Sequence, residues 1–189
     1  MIVYTTANTT TDLQQILTLQ KANLSEGLTV EEKQSQGFVT VNHSYDQLKS
    51  LNDLEKHIIA KHNDNVIGYL LAMTKKSQFE IPILVPMFDA FGSILYENKK
   101  VAKYNYLVVG QVCIDKAYRG QGILDHCYAA YKEYYSAKYD FAITEIASDN
   151  LRSLNAHRRI GFKEIHSYVS PGNTEWVVVI WDWKKVLSR

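Results

Sequence analysis

The second half of the chain alternates strand and helix patterns in an order that few folds accommodate. Tyr106 to Ile114 is an apolar run, Gly122 to about Ala137 repeats apolar residues at helical spacing, Phe141 to Ala147 is again apolar, and Leu151 to Ile160 is again helical. A strand, a crossover helix and a second strand normally form a right-handed parallel pair, so the strands at 106–114 and 141–147 are expected to run parallel. Two further strand patterns, Lys163 to Val169 and Glu175 to Trp183, flank Pro171-Gly172-Asn173 and should pair antiparallel.

The first half adds strands to the same sheet. Ile2 to Thr6 reads as a strand, and Thr10 or Thr11 is placed to cap a helix carrying Leu13, Ile16, Leu17 and Leu24. Thr29 with Glu32 spells a capping box for a short helix, and Ser44 starts another through Leu48 and Leu51. His57 to Lys61, the turn His62-Asn63-Asp64-Asn65 and Val66 to Met73 read as a hairpin. Pro82 and Pro86 then interrupt the chain before an amphipathic helix expected over Met87 to Tyr96, placed to lie over a binding cleft. With 189 residues, no internal repeat and no Gly/Ser/Pro linker, residues 1–189 are read as one domain: an α/β fold with a single mixed, mostly antiparallel sheet flanked by helices.

Composition narrows the functional classes. Twenty-one basic against twenty acidic residues leave a net charge of +1, too small a field to favour nucleic acid or an anionic membrane. No apolar stretch approaches the ~18 residues of a membrane span, and the N-terminus lacks a basic segment followed by an apolar one, so a soluble, cytoplasmic protein is expected. The two cysteines, Cys113 and Cys127, form no CxxC pair and no Cys/His spacing suits zinc, so no metal site is expected.

Chemistry concentrates in VCIDKAYRGQGIL, Val112 to Leu124, where a strand ends, two glycines permit a tight turn and a helix begins. The first turn of a helix leaves its N–H groups without intrahelical partners, and the helix dipole adds partial positive charge, so such a junction can seat a pyrophosphate on bare backbone. Gly120 and Gly122 also serve a plain strand-to-helix turn. Neither the Walker spacing nor the GxGxxG of a dinucleotide fold is present.

Beyond the turn, NLRSLNAHRRIGF begins at Asn150 and ends a helix at Gly161-Phe162. Together these segments resemble the GNAT superfamily of acyl-CoA N-acyltransferases. Arg119, Gly120, Gln121, Gly122 and Ile123 match its (Q/R)xxGx(G/A) motif. Asn150, Ser153, Ala156, His157, Gly161 and Phe162 follow its NxxAxxLYxxxGF pattern. The resemblance covers about Tyr106 to Phe162 and implies acetyl transfer from acetyl-CoA to a primary amine, carried by a small molecule or a peptide. It also implies that the parallel strands splay and that Val112, Cys113 and Ile114 hold the pantetheine arm of coenzyme A. The pyrophosphate would then rest on Arg119, Gly120, Gln121, Gly122, Ile123 and Leu124.

Glu145, on an otherwise apolar strand, is placed by the resemblance as the base that deprotonates the amine; its plain alternative is an ion pair at the sheet's end. His157 stands where many members have a tyrosine that protonates the leaving thiolate; an imidazolium can replace it, or the residue can simply pack. Asn150 is either a cofactor contact or the cap of its helix. Leu124 replaces a usual Gly or Ala, and with His157 it keeps open a non-catalytic acyl-CoA-binding domain. Acylation of a protein N-terminus or lysine is a further alternative. Cys113 has no charged partner in sequence and is read as core, as are Tyr128, Tyr131 and Tyr135 on one helical stripe; Arg152, Arg158, Arg159 and Lys116 are set aside as solvated. Oligomeric state stays open, a homodimer included.

Overall fold

The computed structural model describes residues 1–24, 29, 38–79 and 81–184. In chain order these form β1 (Ile2–Thr6), α1 (Thr10–Lys21), α2 (Tyr45–Leu54), β2 (Ile58–His62), β3 (Asn65–Met73), α3 (Val85–Ser93) and a small ribbon of β4 (Leu95–Tyr96) with β5 (Lys99–Lys100). Then come β6 (Tyr106–Ile114), α4 (Ile123–Tyr135), β7 (Phe141–Ala147), α5 (Leu151–Ile160), β8 (Lys163–Val169) and β9 (Glu175–Asp182). Seven strands make one sheet in the order β1-β2-β3-β6-β7-β9-β8. Only β6 and β7 run parallel among its neighbours, joined by the crossover helix α4.

Local chemistry explains the element ends. Thr9, one residue before the expected caps Thr10 and Thr11, closes α1: its hydroxyl accepts from the Asp12 N–H while the Asp12 carboxylate accepts from the Thr9 N–H. Ser44 does the same for α2 with Gln47. The capping box expected at Thr29 and Glu32 lies outside the described residues. Pro86 enters the first turn of α3, where a missing N–H costs nothing, so the helix starts earlier than expected at Val85. It also ends earlier, at Ser93, because Leu95 and Tyr96 pair with Lys100 and Lys99 across a turn in which Glu97 and Asn98 both take positive φ. Likewise α4 spans Ile123–Tyr135 rather than Gly122 to Ala137, and β9 stops at Asp182.

The sheet is covered on both faces. Leu107, Val109, Ala142 and Ile146 pack with α4 residues Cys127, Tyr128 and Tyr131 on one side, whereas Val108, Ile143 and Ile180 pack with Met87 and Phe91 of α3 on the other. The α1 and α2 side chains Leu13, Ile16 and Leu48 cover Ile59, Tyr69 and Leu71. The period-two alternation along β6 and β7 thus directs successive residues to opposite cores.

One irregularity in β6 matters for everything downstream. Leu70 faces Val112 and Ala72 faces Val109, so Gly110 and Gln111 stand opposite the single residue Leu71. Such a bulge bends the strand. The buried Gln111 side chain pins it: Oε1 accepts from the Tyr69 hydroxyl at 2.6 Å and from Gln20 Nε2 at 2.8 Å, and Nε2 donates to the Val41 carbonyl at 2.8 Å. Gly110 permits close packing, since a Cβ there would lie 1.9 Å from Met73 Sδ.

His57 ties α2 to β3. It is fully buried; Nε2–H donates to the Leu48 carbonyl at 3.2 Å, and Nδ1 accepts from the Ala72 N–H at 3.1 Å. Burial pushes its pKa down to about 3, so folding holds the ring neutral. Below about pH 6.5 the unfolded chain takes up a proton that the folded chain refuses, so stability present at neutral pH is lost as pH falls. His57 accounts for about 2 kcal/mol of that loss between pH 7 and pH 5. His57→Gln keeps a donor and an acceptor but cannot titrate. Its stability deficit in urea unfolding is predicted to shrink by about 2 kcal/mol over that interval; a deficit that stays constant would contradict the neutral, buried assignment.

Candidate active site

The parallel strands part soon after they meet. β6 and β7 pair at Tyr106 with Phe141, Leu107 with Ala142 and Val108 with Ile143, and there the ladder ends. The Thr144 hydroxyl makes one more tether, donating to the Val109 carbonyl at 2.8 Å. Beyond it the bulge carries β6 away while β7 stays paired to β9 through Ala147, leaving a gap of about 80 Å³ between Gly110 and Val112 on one side and Thr144 and Glu145 on the other. Beyond Val108 the β6 backbone makes no ladder bond to β7 among the described residues.

On one side the gap shares its walls with a cavity of about 530 Å³ beneath the glycine turn. Asp115 starts that turn by accepting from the Ala117 N–H at 2.8 Å, and Arg119 locks it, donating from Nε to the Ile114 carbonyl at 3.0 Å and from Nη2 to Asn23 Oδ1 at 2.6 Å. Gly120 and Gly122 take φ of 76° and 77°, a conformation costly for any residue with a Cβ, and the space a Cβ would occupy is open at both. The first bond of α4 runs from the His126 N–H to the Gly122 carbonyl at 3.2 Å. The amides of Ile123, Leu124 and Asp125 therefore precede any intrahelical acceptor.

Val112, Cys113, Ile114, Arg119, Gly120, Gly122, Ile123, Leu124, Asn150 and His157 all line this cavity. Gln121 does not: its side chain is exposed and donates back to the Ala117 carbonyl at 2.9 Å, leaving only its backbone toward the turn. Leu124 packs against the core cluster while facing the cavity. Asn150 caps α5, its Oδ1 accepting from the Ser153 N–H at 3.2 Å, and Nδ2 donates to the Phe38 carbonyl at 3.4 Å. Burial raises the Cys113 thiol to about 12 even with the Arg119 guanidinium nearby, which leaves no thiolate for covalent chemistry. Arg152 and Arg159 are solvated, as expected, and also line the cavity mouth, Arg159 donating to Asp125 Oδ2 at 2.9 Å; with Ser153 and Ala156 they share the cavity-facing surface of α5.

On the other side, the gap shares walls with a cavity of about 620 Å³ between α3, the end of β7 and the β8–β9 turn. Glu145 sits at its edge. Burial raises this carboxyl to about 7, while the Tyr168 hydroxyl, donating to Oε2 at 2.5 Å, holds it lower than burial alone would. A carboxyl poised there accepts a proton near neutral pH and is still ionised in a large fraction of molecules. Among the described residues no ion pair involves it.

His157 departs from its expected chemistry. Its Nδ1–H donates to the Ser153 carbonyl at 2.8 Å and its Nε2 accepts from the Tyr128 hydroxyl at 2.6 Å. Burial lowers its pKa to about 4, outweighing the Ser153 carbonyl, which favours the charged ring. The expected imidazolium is therefore absent at neutral pH, and the ring's one N–H is committed to a carbonyl. Among the described residues, no group of three or more His, Cys, Asp or Glu side chains comes together to hold a metal, and no helix is long and apolar enough to cross a membrane.

Solved structures share this architecture from end to end. A NatC complex structure bound to Gag peptide and CoA contains a chain with 16% identity and a TM-score of 0.66, covering 97% of this chain and 99% of that one. The ribosomal-protein-S18-alanine N-acetyltransferase from Escherichia coli aligns with 11% identity and a TM-score of 0.63, over 100% and 98% of the two chains. A chimera of a Vibrio cholerae spermidine N-acetyltransferase aligns with 15% identity and a TM-score of 0.60, over 100% and 99%. These likenesses establish the fold. No curated protein matches the chain by sequence. The model of the acetyltransferase (GNAT) family matches residues 25–162, which include the glycine turn, the parting strands and α5, and the chain accordingly belongs to the GNAT acetyltransferase family.

Proposed function

We propose that residues 1–189 act as one domain that moves an acetyl group from acetyl-CoA directly to a primary amine. The observation that carries this is the adjacency of three spaces that share lining residues: the cavity under the glycine turn, the gap between β6 and β7, and the second cavity, which Glu145 lines. In this reading the pyrophosphate of coenzyme A rests on the free amides at the start of α4, and Arg152 and Arg159 supply cationic charge at the cavity wall. The pantetheine arm lies along Val112 to Ile114 as a sheet-like partner, which brings the thioester to the gap. That a structure sharing this fold is bound to CoA supports the choice of donor.

The chemistry then needs little from the protein. The ionised Glu145 removes a proton from the incoming ammonium, directly or through water, and the freed nitrogen lone pair attacks the thioester carbonyl. A β6 backbone N–H facing the gap stabilises the oxyanion, a contribution of about 2.7 to 4 kcal/mol where such a donor is well aligned. Once the intermediate's nitrogen has passed its second proton to solvent, the C–S bond breaks with its electrons staying on sulfur, because a thiolate, whose conjugate acid has a pKa of about 8.5, leaves more readily than an amide ion. Solvent in the first cavity protonates it. His157 serves as a wall residue that holds the Tyr128 hydroxyl. A peptide or a small amine fits the same route, and structures of this fold include proteins named for both kinds of acceptor. The setting proposed is the cytoplasm.

Two measurements test these roles. With Glu145 as base, single-turnover acetyl transfer should rise with pH through an apparent pKa near 7, and Glu145→Gln should lower the rate by about 10²- to 10⁴-fold. Tyr168→Phe removes the bond that favours the ionised carboxylate, so the same limb should move to higher pH; an unmoved limb would separate Glu145 from the rate. For His157, the neutral ring predicts no alkaline limb of its own. His157→Gln is expected to change the chemical rate by less than about threefold while lowering thermal stability, since a buried bonded pair is disturbed. A loss of about 10²-fold with folding and CoA affinity intact would restore the acid role.

A further inference from the structure

The second cavity carries information about the acceptor that the family assignment does not. Its walls are apolar where α3 and its approach meet β9: Val41, Leu84, Pro86, Met87 and Trp176 face it. Among the described residues that line it, the only charged side chains are Glu145 and Asp149, both acidic, with no lysine, arginine or histidine. Asp149 is exposed and forms no ion pair among the described residues.

We infer that the acceptor is a primary amine carried on an apolar body, with no carboxylate beside the amine. This deepens the acetyltransferase reading and rests on it. The two acidic side chains draw in a cationic ammonium. The apolar walls then gain by covering hydrocarbon, at roughly 25 cal/mol for each Å² of apolar surface buried. An α-carboxylate next to the amine would enter the same space with no cation to meet it among the described residues that line it, and an unpaired carboxylate against apolar walls is costly. A free α-amino acid is therefore a poor acceptor. The same amine chemistry is offered by an arylalkylamine and by the N-terminus of a peptide that begins with an apolar residue, where the carboxylate has become an amide.

The test is thiol release from acetyl-CoA by the full-length protein with phenethylamine, phenylalanine, ethanolamine and two peptide amides that differ only in a first residue of phenylalanine or glutamate. Phenethylamine or the phenylalanine-first peptide should exceed free phenylalanine and ethanolamine in kcat/KM by at least about tenfold, a discrimination of ~1.4 kcal/mol. Which of the two leads distinguishes the sources. Free phenylalanine or ethanolamine within about threefold of both would overturn the inference while leaving the acetyltransferase reading standing; no release with any amine, with acetyl-CoA bound, would remove both.

A variant gives an independent check. Thr174 lines the cavity from the β8–β9 turn, half-buried, and its hydroxyl makes no hydrogen bond among the described residues. Thr174→Lys adds the missing cation and should move the phenylalanine to phenethylamine ratio at least about fivefold toward the acid. An unchanged ratio in the folded variant would show that wall charge does not set the preference.

Discussion

The extra residue in β6 is the constraint on which the site depends. Without the bulge at Gly110 and Gln111, β6 would stay in register beside β7, and the two cavities would be sealed from one another by a continuous ladder. The bulge is held by a polar side chain rather than by apolar packing. Gln111 binds Tyr69 of β3, Gln20 of α1 and the Val41 carbonyl, so three separate segments fix where the strand bends. A buried glutamine with these partners satisfied is rigid, and losing one would leave a buried polar group unpaired. Gln20 extends the network to His43, whose N–H donates to Gln20 Oε1 at 2.8 Å, so the segment leading to α2 is tied to the same point.

Much of this fold was legible in the sequence because its period-two and helical patterns are strong where burial on both faces is strong. The strands at 106–114 and 141–147, the crossover helix and the parallel pairing all follow from residues that the cores require. The glycine turn was legible for a different reason: left-handed backbone at 120 and 122 restricts the residue type directly. Ends of elements were less so. The choice of Thr9 over Thr10 depends on whether the Asp12 carboxylate can reach back, and the end of α3 depends on a small ribbon that periodicity does not reveal.

The site shows the same division. The residues lining the first cavity come from the stretch Val112 to Asp125, without Gln121, whose side chain turns outward, and from α5, but also from Asn23, Phe38 and Val39, which no local motif singles out. The chemical state of His157 was not legible, because it is set by Tyr128, 29 residues earlier, and by the Ser153 carbonyl on its own helix. Glu145 stood out as a carboxylate in an apolar strand, yet its tuning partner Tyr168 comes from β8, on the far side of β9 in the sheet. Sequence pattern locates groups on elements, whereas their protonation follows from long-range neighbours and burial.

Together the parted strands, the amides of α4 that precede its first intrahelical bond and the half-buried carboxyl describe a place where a thioester and an amine can meet. The most direct test is a crystal structure of the protein with coenzyme A. The account predicts the pyrophosphate against the amides of Gly122, Ile123 and Leu124, the pantetheine along Val112 to Ile114, and the thiol at the gap between Gly110 and Glu145. Coenzyme A bound elsewhere, or a thiol directed away from that gap, would contradict it.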